Sequence, residues 1–168
     1  TAPTIAASIL QAAQKKVLNY SVISAHKLVP PALETLMGLE DIRFDGFILP
    51  GHVSVIIGLD AYQAFFDKYR IPCVVAGFEP ADILQAICEL VQMTESEFPD
   101  LKNAYPRAVT KDGNSKARKI LDDIFEPVDA CWRGIGMIPM SGLKIRDEFA
   151  DHDALKQFEI EVPEPHIP

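Results

Sequence analysis

Cysteine is scarce in this chain. Its 168 residues hold three, Cys73, Cys88 and Cys131, widely spaced and odd in number. No C-x-x-C pair occurs and no disulfide framework is expected, and the pattern fits a reducing cytoplasm. Three thiols also fall short of the four an iron–sulfur cluster takes. Basic charge is short as well: 16 Lys and Arg stand against 24 Asp and Glu, a net charge of −8. Nucleic-acid binding needs clustered cations on phosphate. Only Lys116, Arg118 and Lys119 gather here, on the solvated face of an expected helix. No apolar run approaches the roughly 20 residues of a membrane span, and no secretory leader is visible. Complete catalytic signatures are missing too. There is no nucleophile elbow, P-loop or H-E-x-x-H, and the Gly134–Gly136 stretch lacks the third glycine and the helix of a dinucleotide fingerprint.

What is present is a globular composition, 48% apolar, arranged in alternating short runs. Pro3 suits the first turn of a helix carrying Ile5, Ile9, Ala12, Ala13 and Val17. Tyr20 to Ser24 reads as a strand. Pro30 and Pro31 open a helix that Gly38 closes. Phe44 to Leu49 reads as a strand buried on both faces, followed after Gly51 by a first helical turn or an extended run over His52 to Ile57. Asp60 is an expected N-cap for a helix with Tyr62, Phe65, Phe66 and Tyr69 on one face. Cys73 to Ala76 is a third strand. Glu79-Pro80 opens a helix to about Met93, with Ile83, Leu84, Ile87, Leu90 and Val91 as its apolar stripe. A further helix runs from the Asp112–Ser115 turn to about Phe125, then a fourth strand from Val128 to Trp132, a Gly-rich loop, and a short helix between Asp151 and Phe158. This alternation predicts an α/β fold: a mainly parallel sheet with helices on both faces, in Rossmann-like layering. The α/β domain is expected over 1–158, with a Pro-rich tail over 159–168. Thr1-Ala2-Pro3-Thr4 opens without Met and the tail has no closing element, so the chain is expected to be a piece of something longer.

In such a sheet the strand-to-helix turns collect at the carboxyl edge, where ligands bind. Two turns carry polar groups, Pro50-Gly51-His52-Val53-Ser54 and Gly77-Phe78-Glu79-Pro80. His52 suits metal binding or proton transfer, or equally a backbone bond at a helix start. Glu79 reads as a ligand-facing carboxylate or as an acid complementing the helix dipole. Gly77 allows close backbone approach. His26 and Lys27 follow the first strand at the same edge, or lie in a solvated loop. Cys73 and Cys88 are expected as inert core thiols. Trp132-Arg133 on a Gly-rich loop has the composition of a recognition surface, and a Trp plugging the sheet end fits as well.

Four strings carry a family likeness: Ser24-Ala25-His26-Lys27-Leu28-Val29-Pro30-Pro31, Pro50-Gly51-His52-Val53-Ser54-Val55-Ile56-Ile57-Gly58, Val75-Ala76-Gly77-Phe78-Glu79-Pro80 and Trp132-Arg133-Gly134-Ile135-Gly136. In order and spacing they resemble the HypD family of hydrogenase maturation factors. The resemblance implies a scaffold on which the Fe(CN)2CO centre of nickel–iron hydrogenases is assembled, with HypC-type and HypE-type partners. It implies two similar α/β domains facing a cleft, plus a lobe holding a [4Fe–4S] cluster. This chain resembles the second α/β domain, its tail leading toward the cluster lobe. The cleft candidates are then His52, Ser54, Gly77, Glu79 and His26, and the partner-binding candidates Trp132 and Arg133. His52 and Ser54 would orient the iron unit or its cysteine ligand, and Glu79 would accept a hydrogen bond or a proton. The family's cysteine motifs are absent from this chain, so no cofactor or metal ligand set is expected within it. Two rivals are a stand-alone enzyme using His52 and Glu79 as base and acid, and a docking module built on Trp132-Arg133.

Overall fold

Cys73-Val74-Val75-Ala76 contains no polar side chain beyond a thiol, the composition of a strand covered on both faces. It is the central strand of the larger sheet. In the computed structural model, which describes residues 2–40 and 42–162, all four of these residues are at most 2% exposed. Thr1 and the Pro-rich end from Pro163 to Pro168 lie outside the described residues.

The elements in chain order are α1 (Ala2–Gln14), α2 (Val29–Met37), β1 (Phe47–Pro50), α3 (Gly51–Ile57), a 3-10 turn (Asp60–Tyr62), α4 (Gln63–Tyr69), β2 (Cys73–Ala76), α5 (Pro80–Ser96), β3 (Leu101–Asn103), α6 (Ser115–Ile124), β4 (Phe125–Trp132), β5 (Gly136–Ile145), a second 3-10 segment (Asp147–His152) and α7 (Ala154–Gln157). They form two compact units, one from residues 33–115 and the other from residues 1–32 with 116–168.

In the 33–115 unit, β1, β2 and β3 make a parallel sheet in that order, with Phe47 opposite Cys73 and Val75 opposite Asn103. Helices cover both faces. α5 packs Ala86 and Met93, with Ile83 and Leu90, on the Val74 and Ala76 face. α4 sets Phe65 edge-on to Phe47, ring centroids 5.8 Å apart, on the opposite face. The Phe44–Leu49 run is not buried on both faces: β1 is an edge strand of this sheet, and Ile48 is 41% exposed. The expected α5 stripe is divided for the same reason. A three-stranded sheet covers one strip of the helix, leaving Leu84, Ile87 and Val91 exposed. Cys88 lies on that outer side and is an exposed thiol rather than a core one, whereas burial pushes the Cys73 thiol up to about 11. Asp60 does not cap α4. It begins the 3-10 turn, and no side chain caps either segment.

The other unit is built on an antiparallel hairpin. β4 and β5 pair from Phe125–Ile145 to Trp132–Gly136, with an irregularity between Val128 and Ala130. Its core is Ala6 and Ile9 of α1 against Ile124, Phe125 and Ile145. Two expectations change here. The stretch after Trp132 is a strand, not a loop. Its glycines and Pro139 suggested a loop, but Gly134 (φ +82°) forms the hairpin tip. Pro139-Met140 lies at the irregularity, where Met140 (φ +52°) donates its N–H to Asp129 Oδ1 at 2.9 Å. A bulge is a site where a strand tolerates proline. Tyr20 to Ser24 forms no strand. Only Val22 bridges, to Asp153, through Val22 N–H to His152 O and Ala154 N–H to Val22 O.

Candidate functional site

Because β1, β2 and β3 run parallel, their carboxyl ends share one edge, and three turns leave from it. The β1 turn is the start of α3, which places His52 one residue past Gly51, exposed. The β2 turn is Gly77-Phe78-Glu79, leading into Pro80 at the first position of α5. The β3 turn carries Tyr105 and Arg107.

The first two turns meet through aromatic contact. The His52 ring lies against Phe78, centroids 5.0 Å apart and 36° between planes. Phe78 is 71% exposed. Such surface for an aromatic side chain is the kind a partner or ligand covers. Glu79 is the N-cap residue of α5, extended at φ −68° and ψ 145°, but its side chain makes no cap bond. Its carboxylate is exposed. The acid in the first turn of the helix is Asp82, three residues on. Its Oδ2 is set against Gly77, where an added methyl would collide with it.

Asp82 is 6% exposed and is held from the third turn. Arg107 Nη1 donates to its Oδ1 at 2.7 Å and Nη2 to its Oδ2 at 2.5 Å. The guanidinium carbon lies 4.4 Å from the centroid of the Tyr105 ring. That ring fills the space the two glycines leave. A methyl group on Gly77 would come within 2.8 Å of it, and one on Gly51 within 2.9 Å. Asn103 closes the third turn on itself, its Oδ1 accepting from Tyr105 N–H and its Nδ2 donating to Val109 O, each at 2.9 Å.

The Arg107 guanidinium holds the Asp82 carboxyl below its ordinary 3.8. A carboxylate with a depressed folded value adds stability above its unfolded value and loses it as pH falls through the folded one. In Arg107→Met the buried carboxylate would lack its partner, its folded value would rise, and this acid-side loss would shrink or reverse. Urea midpoints from about pH 5 to about pH 2 should therefore fall more steeply for the unaltered chain than for Arg107→Met.

The remaining sequence candidates sit elsewhere. Ser54 is fully buried on α3. Its Oγ donates to Pro50 O at 2.9 Å, so at 3.1 Å from Tyr62 Oη it is the acceptor. The hydroxyl is used in holding the turn that carries His52. His26 belongs to the other unit. Ser24 Oγ gives its proton to Leu143 O at 2.5 Å, so in the 3.2 Å contact with His26 Nδ1 the ring is the donor. That leaves Nε2 as the lone-pair nitrogen. Burial pushes this imidazole below its ordinary 6.5. Together with Asp129, Lys144 and Asp153 it lines a cavity of about 360 Å³. Trp132 is anchored in the hairpin, its Nε1–H on Ser141 Oγ at 2.8 Å, and Ser141 Oγ in turn donates to Ile138 O at 2.8 Å. Arg133 is exposed beside the hairpin tip.

Sequence reasoning missed Asp82, Tyr105 and Arg107. The signals were an acid three residues after Glu79 and an Asn-x-Tyr-x-Arg string after a three-residue strand. Among the described residues no group of three or more His, Cys, Asp or Glu is placed to hold a metal ion. A [4Fe–4S] cluster does not fit this chain's thiols: they number three, and Cys73 is buried within β2.

The family model described as HypD, hydrogenase formation hypA family, matches residues 1–167. The chain is 41% identical over 167 residues to a hydrogenase maturation factor HypD2 of Bradyrhizobium diazoefficiens, covering 95% of this chain and 44% of that protein. It is 39% identical to a hydrogenase maturation factor HypD of Cupriavidus necator, with 95% and 44% covered. It is 38% identical to a putative hydrogenase expression/formation protein of Methanocaldococcus jannaschii, with 100% and 47% covered. The chain thus spans a little under half the length of these relatives. The match runs through all four strings that bear the likeness, Ser24–Pro31, Pro50–Gly58, Val75–Pro80 and Trp132–Gly136, and the chain belongs to the HypD family.

Proposed function

We propose that this chain works in hydrogenase maturation as the α/β part of an iron-centre scaffold, presenting His52 and Glu79 to an iron unit held by ligands from elsewhere in the assembly. The observation that carries this reading is the freedom of the Glu79 side chain from helix capping. It makes no cap bond, and Glu79 stands exposed at the strand edge beside the His52–Phe78 pair. A carboxylate there can accept a proton or a hydrogen bond from a metal-bound group, and an imidazole can donate one. Outer partners of this kind fix ligand orientation, and their loss typically costs about 10–100-fold in metal affinity or activity.

In this reading iron is cargo. Its direct ligands, and any [4Fe–4S] cluster, belong to other parts of the assembly. Ser54 acts from beneath, fixing the turn under His52. HypC-type and HypE-type proteins are the proposed partners, in the cytoplasm, with Trp132 and Arg133 offered as partner contacts.

The test is complementation. His52→Ala and Glu79→Gln, each in the full gene product, are introduced into a host lacking its own copy. Hydrogenase activity and iron bound by the purified protein should each fall by about 10–100-fold. Unchanged iron content and full hydrogenase activity in both variants would remove the assignment.

A further inference from the structure

We infer that Arg107 and Tyr105 are positioning residues for this site: through Asp82 and the Tyr105 ring they brace Gly77 and Gly51 and hold the His52 and Glu79 turns at a fixed separation. The inference rests on the reading of Glu79 proposed above.

The chain of contacts is continuous. Asp82 Oδ2 stands where a methyl on Gly77 would lie, and Asp82 takes two hydrogen bonds from Arg107 at 2.7 and 2.5 Å. The Arg107 guanidinium carbon lies 4.4 Å from the Tyr105 ring centroid, and Tyr105 is seated against Gly51 at the root of the His52 turn and Gly77 at the root of the Glu79 turn. One ring thus touches both turns, and one guanidinium fixes the acid packed against Gly77. The supporting turn is closed by Asn103 on both sides of Tyr105 and Arg107. The two donors spent on Asp82 come from different nitrogens of a planar fork. A lysine at position 107 would keep the charge but not this geometry.

Complementing the helix start would need only Asp82, and an exposed ion pair alone would need no ring beneath it. Here Asp82 is buried and held by Arg107, and its Oδ2 is set against Gly77 at the root of the Glu79 turn. The side chain of Arg107 is itself 55% exposed. Bulk solvent guanidinium can therefore reach its place if the arginine is removed.

The experiment uses the full gene product with Arg107→Ala, Arg107→Lys and Asp82→Asn, alongside Glu79→Gln. Three readouts are taken: hydrogen exchange at the Ile83 amide, which donates to Glu79 O at 3.1 Å, thermal midpoint, and hydrogenase activity in the complemented host. Expected is faster exchange at Ile83 by about tenfold or more in all three frame variants. Hydrogenase activity is expected to fall by about tenfold or more. In Arg107→Ala, added guanidinium should restore exchange protection, while methylammonium should not. A merely structural role would not show that selectivity. Should Arg107→Ala fail to fold, Arg107→Lys and Asp82→Asn carry the test on the same readouts. Unchanged Ile83 exchange in the folded variants overturns the inference. So does unchanged hydrogenase activity in them when Glu79→Gln lowers it. If Glu79→Gln itself leaves activity intact, the proposed function fails separately, and exchange at Ile83 alone decides whether the frame exists.

Discussion

Gly77→Ala is expected to cost this protein a large part of its stability and to displace Glu79 at the same time. The new methyl would collide with Asp82 Oδ2 and stand 2.8 and 2.9 Å from two carbons of the Tyr105 ring. Neither neighbour can give way cheaply. Asp82 is buried and held by both Arg107 nitrogens. Tyr105 is backed by Gly51, where a methyl would meet Ala76 O as well as the same ring. Gly77 is not among the glycines with positive φ, so the demand is for space and not for a left-handed backbone. Overpacking of this kind costs about 1–3 kcal/mol, occasionally more, against a total stability of about 5–15 kcal/mol. Gly38→Ala is the control in the same unit. Its nearest neighbour would be Thr35 O at 3.4 Å, an ordinary contact, and its urea midpoint should stay close to that of the unaltered chain. Circular dichroism across a urea series separates the two. Equal midpoints for Gly77→Ala and Gly38→Ala would mean that the two turns are not packed on Tyr105.

The sequence carried the edge of the sheet well and its supports poorly, for a physical reason. Cys73–Ala76 and the turns after it were legible because a four-residue apolar run followed by Gly and an acid before Pro has few alternatives. The frame behind Glu79 was hidden because it depends on a third strand of only three residues, Leu101–Asn103. A strand so short has no period to read, and without it Tyr105 and Arg107 had no address. Ser54 misled in the opposite way. A hydroxyl two residues after His52 looks like a ligand by type, yet helical geometry turns it inward to Pro50 and Tyr62. The β4–β5 hairpin was missed because Gly134, Gly136, Pro139 and Gly142 have the composition of a loop. Pairing between Phe125–Trp132 and Gly136–Ile145 overrode that local preference. The exposed half of α5 has the same origin. Periodicity marks a face as apolar but does not say how wide the sheet beneath it is.

Phe125→Ala is expected to show the largest single-residue loss in the other unit. Phe125 is 1% exposed and sits with Ala6, Ile9, Ile124 and Ile145 in its core. Removing such a ring typically costs about 3–5 kcal/mol through lost transfer energy and the cavity left behind. Trp132 is the only tryptophan and lies on the same strand, so its fluorescence in urea reports directly on this unit. The midpoint should move sharply down, whereas Phe158→Ala, at a site 64% exposed, should barely move it. The variant has a second consequence, at His26. The Phe125 ring meets that imidazole edge-on, centroids 5.5 Å apart and 64° between planes, and so contributes to the burial that holds its pKa below 6.5. A histidine depressed in the folded state binds fewer protons there than when unfolded, so stability falls as pH drops through its unfolded value. Opening the wall beside it admits water, raises the His26 pKa toward its ordinary value and weakens that pH dependence. Proton NMR of the imidazole in the two chains measures this directly. A His26 titration unmoved by the loss of Phe125 would assign the burial to the strands around the cavity, Ala130 and Gly142–Ile145 among them, and leave the ring a purely structural part.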